Sequence, residues 1–172
     1  SRGLGDVYKR QLQDCLERVR AAAERASPGQ WILGHGWNQN SWERYGTAFD
    51  LDRVAPQNPV YLTAKSLHAA WVNSRALEAA GIGADSPDPP DGYLGRREDG
   101  TPNGLLFEGA MRLVSSRIDP PSPQTLAGWI LTALNELLAV GITGIHDFDD
   151  PRCFQALQIL REQGNLPLRV LK

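Results

Sequence analysis

The sequence predicts an α/β fold in which parallel strands are joined by crossover helices, and three observations carry that prediction. The first is the order helix, strand, helix, strand from Pro123 to Leu171, the signature of parallel strands that need a helix to return the chain. The second is an apolar run, Pro59 to Ala64, followed by a loop and then a short helical pattern ending at Gly81, where α/β proteins place much of their chemistry. The third is size: 172 residues, 41% hydrophobic, suffice for one domain with a real core.

Taken in order, Ser1 to Gln11 (SRGLGDVYKRQ) shows no apolar period and no initiating Met. It resembles a translated assembly scar and is expected to lie outside the fold. Leu12, Leu16, Val19 and Ala23 then recur at helical steps with charges between them, so an amphipathic helix runs from Leu12 to the Ser27-Pro28-Gly29 break. Gln30 to Gly34 reads as a short strand entering the Gly-, Trp- and Asn-rich segment Gly34 to Trp42, expected as a loop whose backbone approaches a ligand or another segment. Aromatic residues mostly fill cores, so packing is the weightier reading of its tryptophans. Phe49 to Pro56 reads as one helical turn started by Asp50.

Leu67 to Leu77 (LHAAWVNSRAL) places an imidazole, an indole and an amide within six residues of one another, directly after the strand Val60 to Ala64. His68 and Trp71 are expected in the loop, and Asn73 as the cap of a helix that stops at Gly81. A single histidine in a chain of three is more often structural or surface than catalytic. The proline-rich linker Ala84 to Asp91 leads to a hairpin turning at Asp99-Gly100, and Leu105 to Val114, with Glu108, is expected as helix. The strongest helix is Pro123 to Val140, ended by Gly141. A strand, Ile142 to Phe148, carries Asp147; a helix, Pro151 to Gln163, and a strand, Pro167 to Leu171, follow.

A net charge of −2 and the absence of any Lys/Arg cluster argue against a nucleic-acid surface, and no apolar run approaches the ~18 residues of a membrane span. Cys15 and Cys153 fit no metal or redox spacing, so reduced thiols and a cytoplasmic location are the default.

The order of segments resembles the YtcJ-like branch of the metal-dependent amidohydrolase superfamily. The resemblance rests on Gly34-His35-Gly36-Trp37-Asn38; Asp50-Leu51-Asp52 with Pro56 and Pro59-Val60; and His68-Ala69-Ala70-Trp71-Val72-Asn73-Ser74 with Ala76-Leu77 and Ala80-Gly81-Ile82. It continues through Pro90-Asp91-Gly92, Asp99-Gly100-Thr101-Pro102-Asn103-Gly104, Leu106 with Glu108, and Gly141-Ile142-Thr143-Gly144-Ile145-His146-Asp147. It implies an incomplete (β/α)8 barrel, with strands 2 and 3 and flanking helices, plus a family α+β insertion. Residues 12–29 would be the helix after a first barrel strand, 30–117 the insertion, and 118–172 the barrel's helix-strand-helix-strand.

The implied chemistry is hydrolysis of an amide-type carbon-nitrogen bond in a small molecule by water activated on a divalent metal, usually zinc. The family's first-strand His-x-His pair is absent upstream of Leu12, and its later ligands are expected beyond Lys172. This piece is therefore expected to hold no catalytic metal and to be inactive alone, and a homo-oligomer is expected only of the full-length protein. The pocket residues implied are His68, Asn73, Glu108, Asp147, Trp37 and Trp71. His68 is given a substrate-contact or proton-handling role. Ser66 stands two positions before it, where relatives often carry an acid, which counts against a shared His-carboxylate network. Glu108 and Asp147 keep structural readings beside the pocket one, helix-dipole stabilisation and helix capping respectively. The competing class is a small-molecule binding or regulatory module, with Trp31, Trp37, Trp42 and Trp71 stacking a ring.

Overall fold

The computed structural model describes residues 4–38, 42 and 44–172. Part of the expected Gly34 to Trp42 loop and the first residues of the N-terminal segment lie outside the described residues. The protein is mixed α/β and divides into two compact units, residues 1–118 and 119–172.

The first unit is a five-stranded sheet: β1 (Ile32–Trp37), β2 (Val60–Ala64), β3 (Ala69–Val72), β4 (Gly92–Arg96) and β5 (Pro102–Glu108), in the order β1-β2-β3-β5-β4. β1 and β2 are parallel, and every other pair is antiparallel. Four helices accompany it: α1 (Leu4–Ala23), α2 (Ala48–Asp52), α3 (Ser74–Ala79) and α4 (Met111–Ser115). Side chains alternate between faces along a strand, and here both faces are covered. Val60, Leu62, Ala64, Ala69, Trp71 and Leu105 pack with α1 and α2 residues such as Leu16, Val19 and Leu51. Tyr61, Ala70, Val72 and Leu106 pack with Ala76, Leu77 and Val114 of α3 and α4. Burial on two sides is why β2 and β3 read as continuous apolar runs. Each fully buried leucine such as Leu51 or Leu106 contributes about 2 kcal/mol of transfer free energy.

Four boundaries differ from the sequence expectation. Helix α1 begins at Leu4 rather than Leu12, because Leu, Lys, Arg and Gln are good helix formers and extending an existing helix costs little. β1 continues through His35 and Trp37 instead of opening into a loop at Gly34; Gly36, at φ 98°, takes up a bulge between His35 and Trp37 that keeps the strand paired with β2. Trp71 lies in β3, not in the loop. Leu105 to Glu108 is strand, and helix α4 starts only at Met111: Gly104 at φ 97° and the tight β4-β5 pairing override the helical spacing. The Asp99-Gly100 turn is as expected, with the Asp99 carboxylate accepting from the Thr101 amide at 2.9 Å.

The Asp50-Leu51-Asp52 motif is structural throughout. Asp50 completes a capping box with Thr47 at the start of α2 and takes a bidentate pair from Arg44 at 2.8 Å on each oxygen. Asp52 accepts from the Ser74 amide and hydroxyl, at 2.9 and 2.6 Å, tying α2 to the start of α3. The Arg44 guanidinium foremost, with help from Thr47, brings the Asp50 carboxyl down from 3.8 to about 2. Its folded value lies below its unfolded one, so its stabilisation is present above pH ~4 and is lost as pH falls towards 2. Acid titration followed by circular dichroism is expected to show about 1 kcal/mol lost over that window, solvent screening having reduced the full linkage value, and Asp50→Asn is expected to remove that slope.

The second unit comprises α5 (Pro123–Ala139), β6 (Gly144–His146), α6 (Pro151–Glu162) and β7 (Arg169–Leu171). β6 and β7 are parallel, with Ile145 opposite Val170, and α6 is the crossover between them. Ser122 caps α5 and Asp150 caps α6. Leu134, Ala156, Leu157, Leu160 and Leu168 form this unit's own core.

Candidate functional site

The antiparallel ladder between β3 and β5 ends with Ala69 opposite Phe107. One step further the chain brings His68 against Glu108: the Glu108 amide donates to the His68 carbonyl at 3.1 Å. The His68 ring Nδ1 lies 3.0 and 3.1 Å from the two oxygens of the Glu108 carboxylate. With Nδ1–H donating to that carboxylate, Nε2 is the ring atom left to meet a ligand. Both side chains are open to solvent, 71% exposed for His68 and 56% for Glu108.

Two residues around this pair hold backbone conformations that favour glycine, Leu67 at φ 65° and Glu108 at φ 51°. Leu67 sits in the tight turn from β2 to β3, its amide donating to Ala64 O at 3.0 Å. Glu108 is held in place from its other side. The Gly109 amide donates to Asp91 O at 2.9 Å, and Asp91 is paired with Arg112 at 2.5 Å. A side chain on Gly92 would meet the backbone of Phe107 and Ala110 at 2.4 and 2.5 Å, so glycine there is what allows β4 to close on Glu108. The Pro90-Asp91-Gly92 motif thus supports the Glu108 end of the pair.

Sequence reasoning named both His68 and Glu108 but not their pairing. Ser66 supplies no carboxylate; its hydroxyl only accepts from the His68 amide at 3.3 Å. The carboxylate arrives 40 residues later in the chain, through strand register, which no local spacing announces. Since Glu108 ends a strand, the helix-dipole reading of it falls.

Asn73 sits elsewhere. It is fully buried, and all four of its hydrogen-bonding positions are used inside the fold. Its oxygen accepts from the Val60 and Ala76 amides at 2.9 and 3.0 Å, and its amide nitrogen donates to Ala55 O and Asn58 O at 3.2 and 2.8 Å. No atom of it is left for a substrate. Trp37 and Trp71 are core residues too, 6% and 0% exposed, their indole N–H groups donating to Leu62 O and Thr47 O at 2.8 and 2.9 Å. Trp42 stacks on Trp37 with centroids 5.6 Å apart and meets Trp71 edge-on at 5.5 Å. Trp31 packs in the other core, on the opposite face of the sheet, so the four tryptophans form no common stacking surface.

In the second unit Asp147 is 7% exposed at its side chain and accepts from Lys172 Nζ at 2.7 Å. Lys172 also donates to the Asp149 carbonyl. The ammonium beside it, more than any other cause, holds the Asp147 carboxyl below the usual range. It does not cap α6; Asp150 does. Asp147, Asp149 and Cys153 are, among the described residues, the one group of three whose donor atoms lie close enough together to share an ion, within 4.8 Å. This donor set does not fit a divalent metal: an ammonium already neutralises it, and burial together with the Asp147 charge pushes the Cys153 thiol up to about 11, away from the thiolate a metal binds. Alkylation of Cys153 by iodoacetamide at pH 8 is expected to run at least about tenfold slower than that of a free thiol. Asp147→Asn is expected to restore only part of the rate, because burial is the larger cause.

Comparison with known proteins gives the family. The Amidohydrolase family's sequence profile matches residues 3–172, and the chain belongs to that family. It is 37% identical over 140 residues to the YtcJ protein of Bacillus subtilis (strain 168), the match covering 80% of this chain and 26% of that protein. It is 35% identical over 144 residues to the N-substituted formamide deformylase of Arthrobacter pascens, covering 79% of this chain and 26% of that enzyme. Among solved structures, an uncharacterized metal-dependent hydrolase from Pyrococcus horikoshii OT3 superposes with a TM-score of 0.61 at 21% identity, over 92% of this chain and 30% of the other. That likeness is one of fold. The chain thus spans about a quarter of the length of these curated relatives.

Proposed function

We propose that this chain is part of a metal-dependent hydrolase acting on carbon-nitrogen bonds of small amide-type substrates, and that the His68–Glu108 pair forms part of its substrate pocket. The observation that carries the reading is this pair itself, an exposed imidazole and carboxylate fixed 3.0 Å apart at the end of a sheet in a chain of the amidohydrolase family. Glu108 holds Nδ1, which orients the ring and leaves Nε2 to contact substrate or to carry a proton to or from it. In the whole protein a divalent metal, zinc in this reading, would supply an activated water and polarise the carbonyl under attack. Its ligands would come from chain beyond these residues, since the described donors here do not fit one.

In the same reading β6 and β7 with α5 and α6 are two strands and two helices of a (β/α)8 barrel, and residues 30–117 are a family insertion. The relative from Arthrobacter pascens makes N-substituted formamides the substrate class to try first. The two free thiols, Cys15 and Cys153, fit a cytoplasmic site of action in this reading. The test is to express the longer reading frame from the source DNA and compare it with the 172-residue chain. The longer protein is expected to hold one or two equivalents of metal, roughly, and to hydrolyse N-substituted formamides or related amides. The 172-residue chain is expected to do neither, and stoichiometric zinc with hydrolysis by that chain alone would overturn the proposal.

A further inference from the structure

A cleft of about 400 Å³ opens in the first unit where α1 meets the edge strand β1, lined by Asp14, Arg18, His35, Trp37, Trp42 and Lys65. It adjoins a smaller apolar cavity of about 140 Å³ that shares Arg18, His35 and Trp37 and is lined beyond them by Val19, Ile32 and Leu62. We infer that this cleft binds a small monocarboxylate with an aromatic or branched apolar body, its carboxylate between Arg18 and Lys65 and its apolar end in the smaller cavity.

Charge supports this first. Arg18 and Lys65 approach from different elements, the helix and the β2-β3 turn, and neither forms an ion pair among the described residues. With Asp14 the cleft keeps one net positive charge. His35 is positioned as well as present. Thr63 Oγ1 donates to Gly34 O at 3.4 Å, which sets that hydroxyl to accept from His35 Nδ1–H at 2.9 Å. This contact follows from the regular β1-β2 register, in which His35 stands opposite Thr63; the bulge at Gly36 comes after it and returns Trp37 to the face of Ile32 and Leu62. The stacked Trp37–Trp42 pair supplies an aromatic wall, and an arginine offers the two-pronged geometry that a carboxylate fits. Binding here does not depend on the hydrolase reading, since it requires neither metal nor turnover.

The test is titration of the 172-residue chain with phenylacetate, and with 2-phenylethanol as the uncharged control, followed by ¹H–¹⁵N NMR. Saturable shifts at Gly36 and the Trp37 indole N–H, with those of Trp71 unmoved, are expected for phenylacetate. Loss of its charge, or either Arg18→Gln or Lys65→Gln, is expected to weaken binding about tenfold. Both side chains are exposed, so either variant keeps the fold, and Arg18→Lys is expected to retain most of the affinity. No saturable binding at millimolar phenylacetate would overturn the assignment. Equal affinity for the alcohol, or indifference to both charge-removing variants, would do the same.

Discussion

Asn73→Ala is expected to lower the unfolding free energy of the chain by about 4 kcal/mol, measured as a shift in urea midpoint at unchanged slope. The magnitude follows from what one side chain does. It caps α3 through the Ala76 amide, a role worth about 1 kcal/mol alone. It also joins the first residue of β2 to the α2-β2 connection, through Val60 N, Ala55 O and Asn58 O, all buried. Removing it leaves buried amides and carbonyls without partners, each costing about 1–3 kcal/mol. Asn73→Asp separates geometry from chemistry: it keeps the acceptor that Val60 and Ala76 need, but turns a donor into an oxygen facing two carbonyls. At neutral pH it is expected to destabilise as much as alanine. A loss under 1 kcal/mol for Asn73→Ala would show that the network is not what holds these segments.

This residue also shows what the sequence could and could not disclose. Its role as helix cap was legible because capping is local, an acceptor placed just before a helical pattern. Its other three bonds were not, because they reach 13 to 18 residues back through tertiary packing. The same division runs through the chain. The β6-α6-β7 crossover, the Asp99-Gly100 hairpin and helix α5 follow from period and punctuation, though the two strands are shorter than the pattern suggested, Gly144–His146 and Arg169–Leu171, and Asp147 falls just beyond the first. Glu108 was assigned to a helix because Leu105, Leu106 and their neighbours are equally compatible with helix and with a strand buried on both faces. Only the pairing with β3 and β4 decides it. Trp37 and Trp71 are buried in the core and Trp31 and Trp42 pack against it, as aromatic residues usually do, while Trp129 is exposed; that Trp31 stands on one face of the sheet and Trp37 on the other is a matter of register. Of the six pocket residues the sequence nominated, the structure brings two together, His68 and Glu108. It withdraws Asn73, Trp37 and Trp71 into the interior, and gives Asp147 a lysine partner.

The pair that remains supports the second large effect. An exposed imidazole–carboxylate hydrogen bond stabilises by about 0–1 kcal/mol, whereas each non-glycine residue held in the left-handed region costs about 1–3 kcal/mol, and two such residues, Leu67 and Glu108, frame this one. The fold therefore gains little or nothing in stability from the arrangement, in keeping with the role proposed for His68. In the full-length protein His68→Gln is expected to reduce kcat/KM about a hundredfold with the fold unchanged by circular dichroism, the scale of a lost proton-transfer group. Glu108→Gln keeps a hydrogen-bond acceptor for Nδ1 but removes the charge, and is expected to cost about tenfold. Because the carboxylate acts through the imidazole, the double variant should be no slower than His68→Gln alone. Multiplying losses would mean that the two residues serve the substrate separately. A fully active His68→Gln would remove the pair from the reaction and leave its strained backbone to be explained by folding alone.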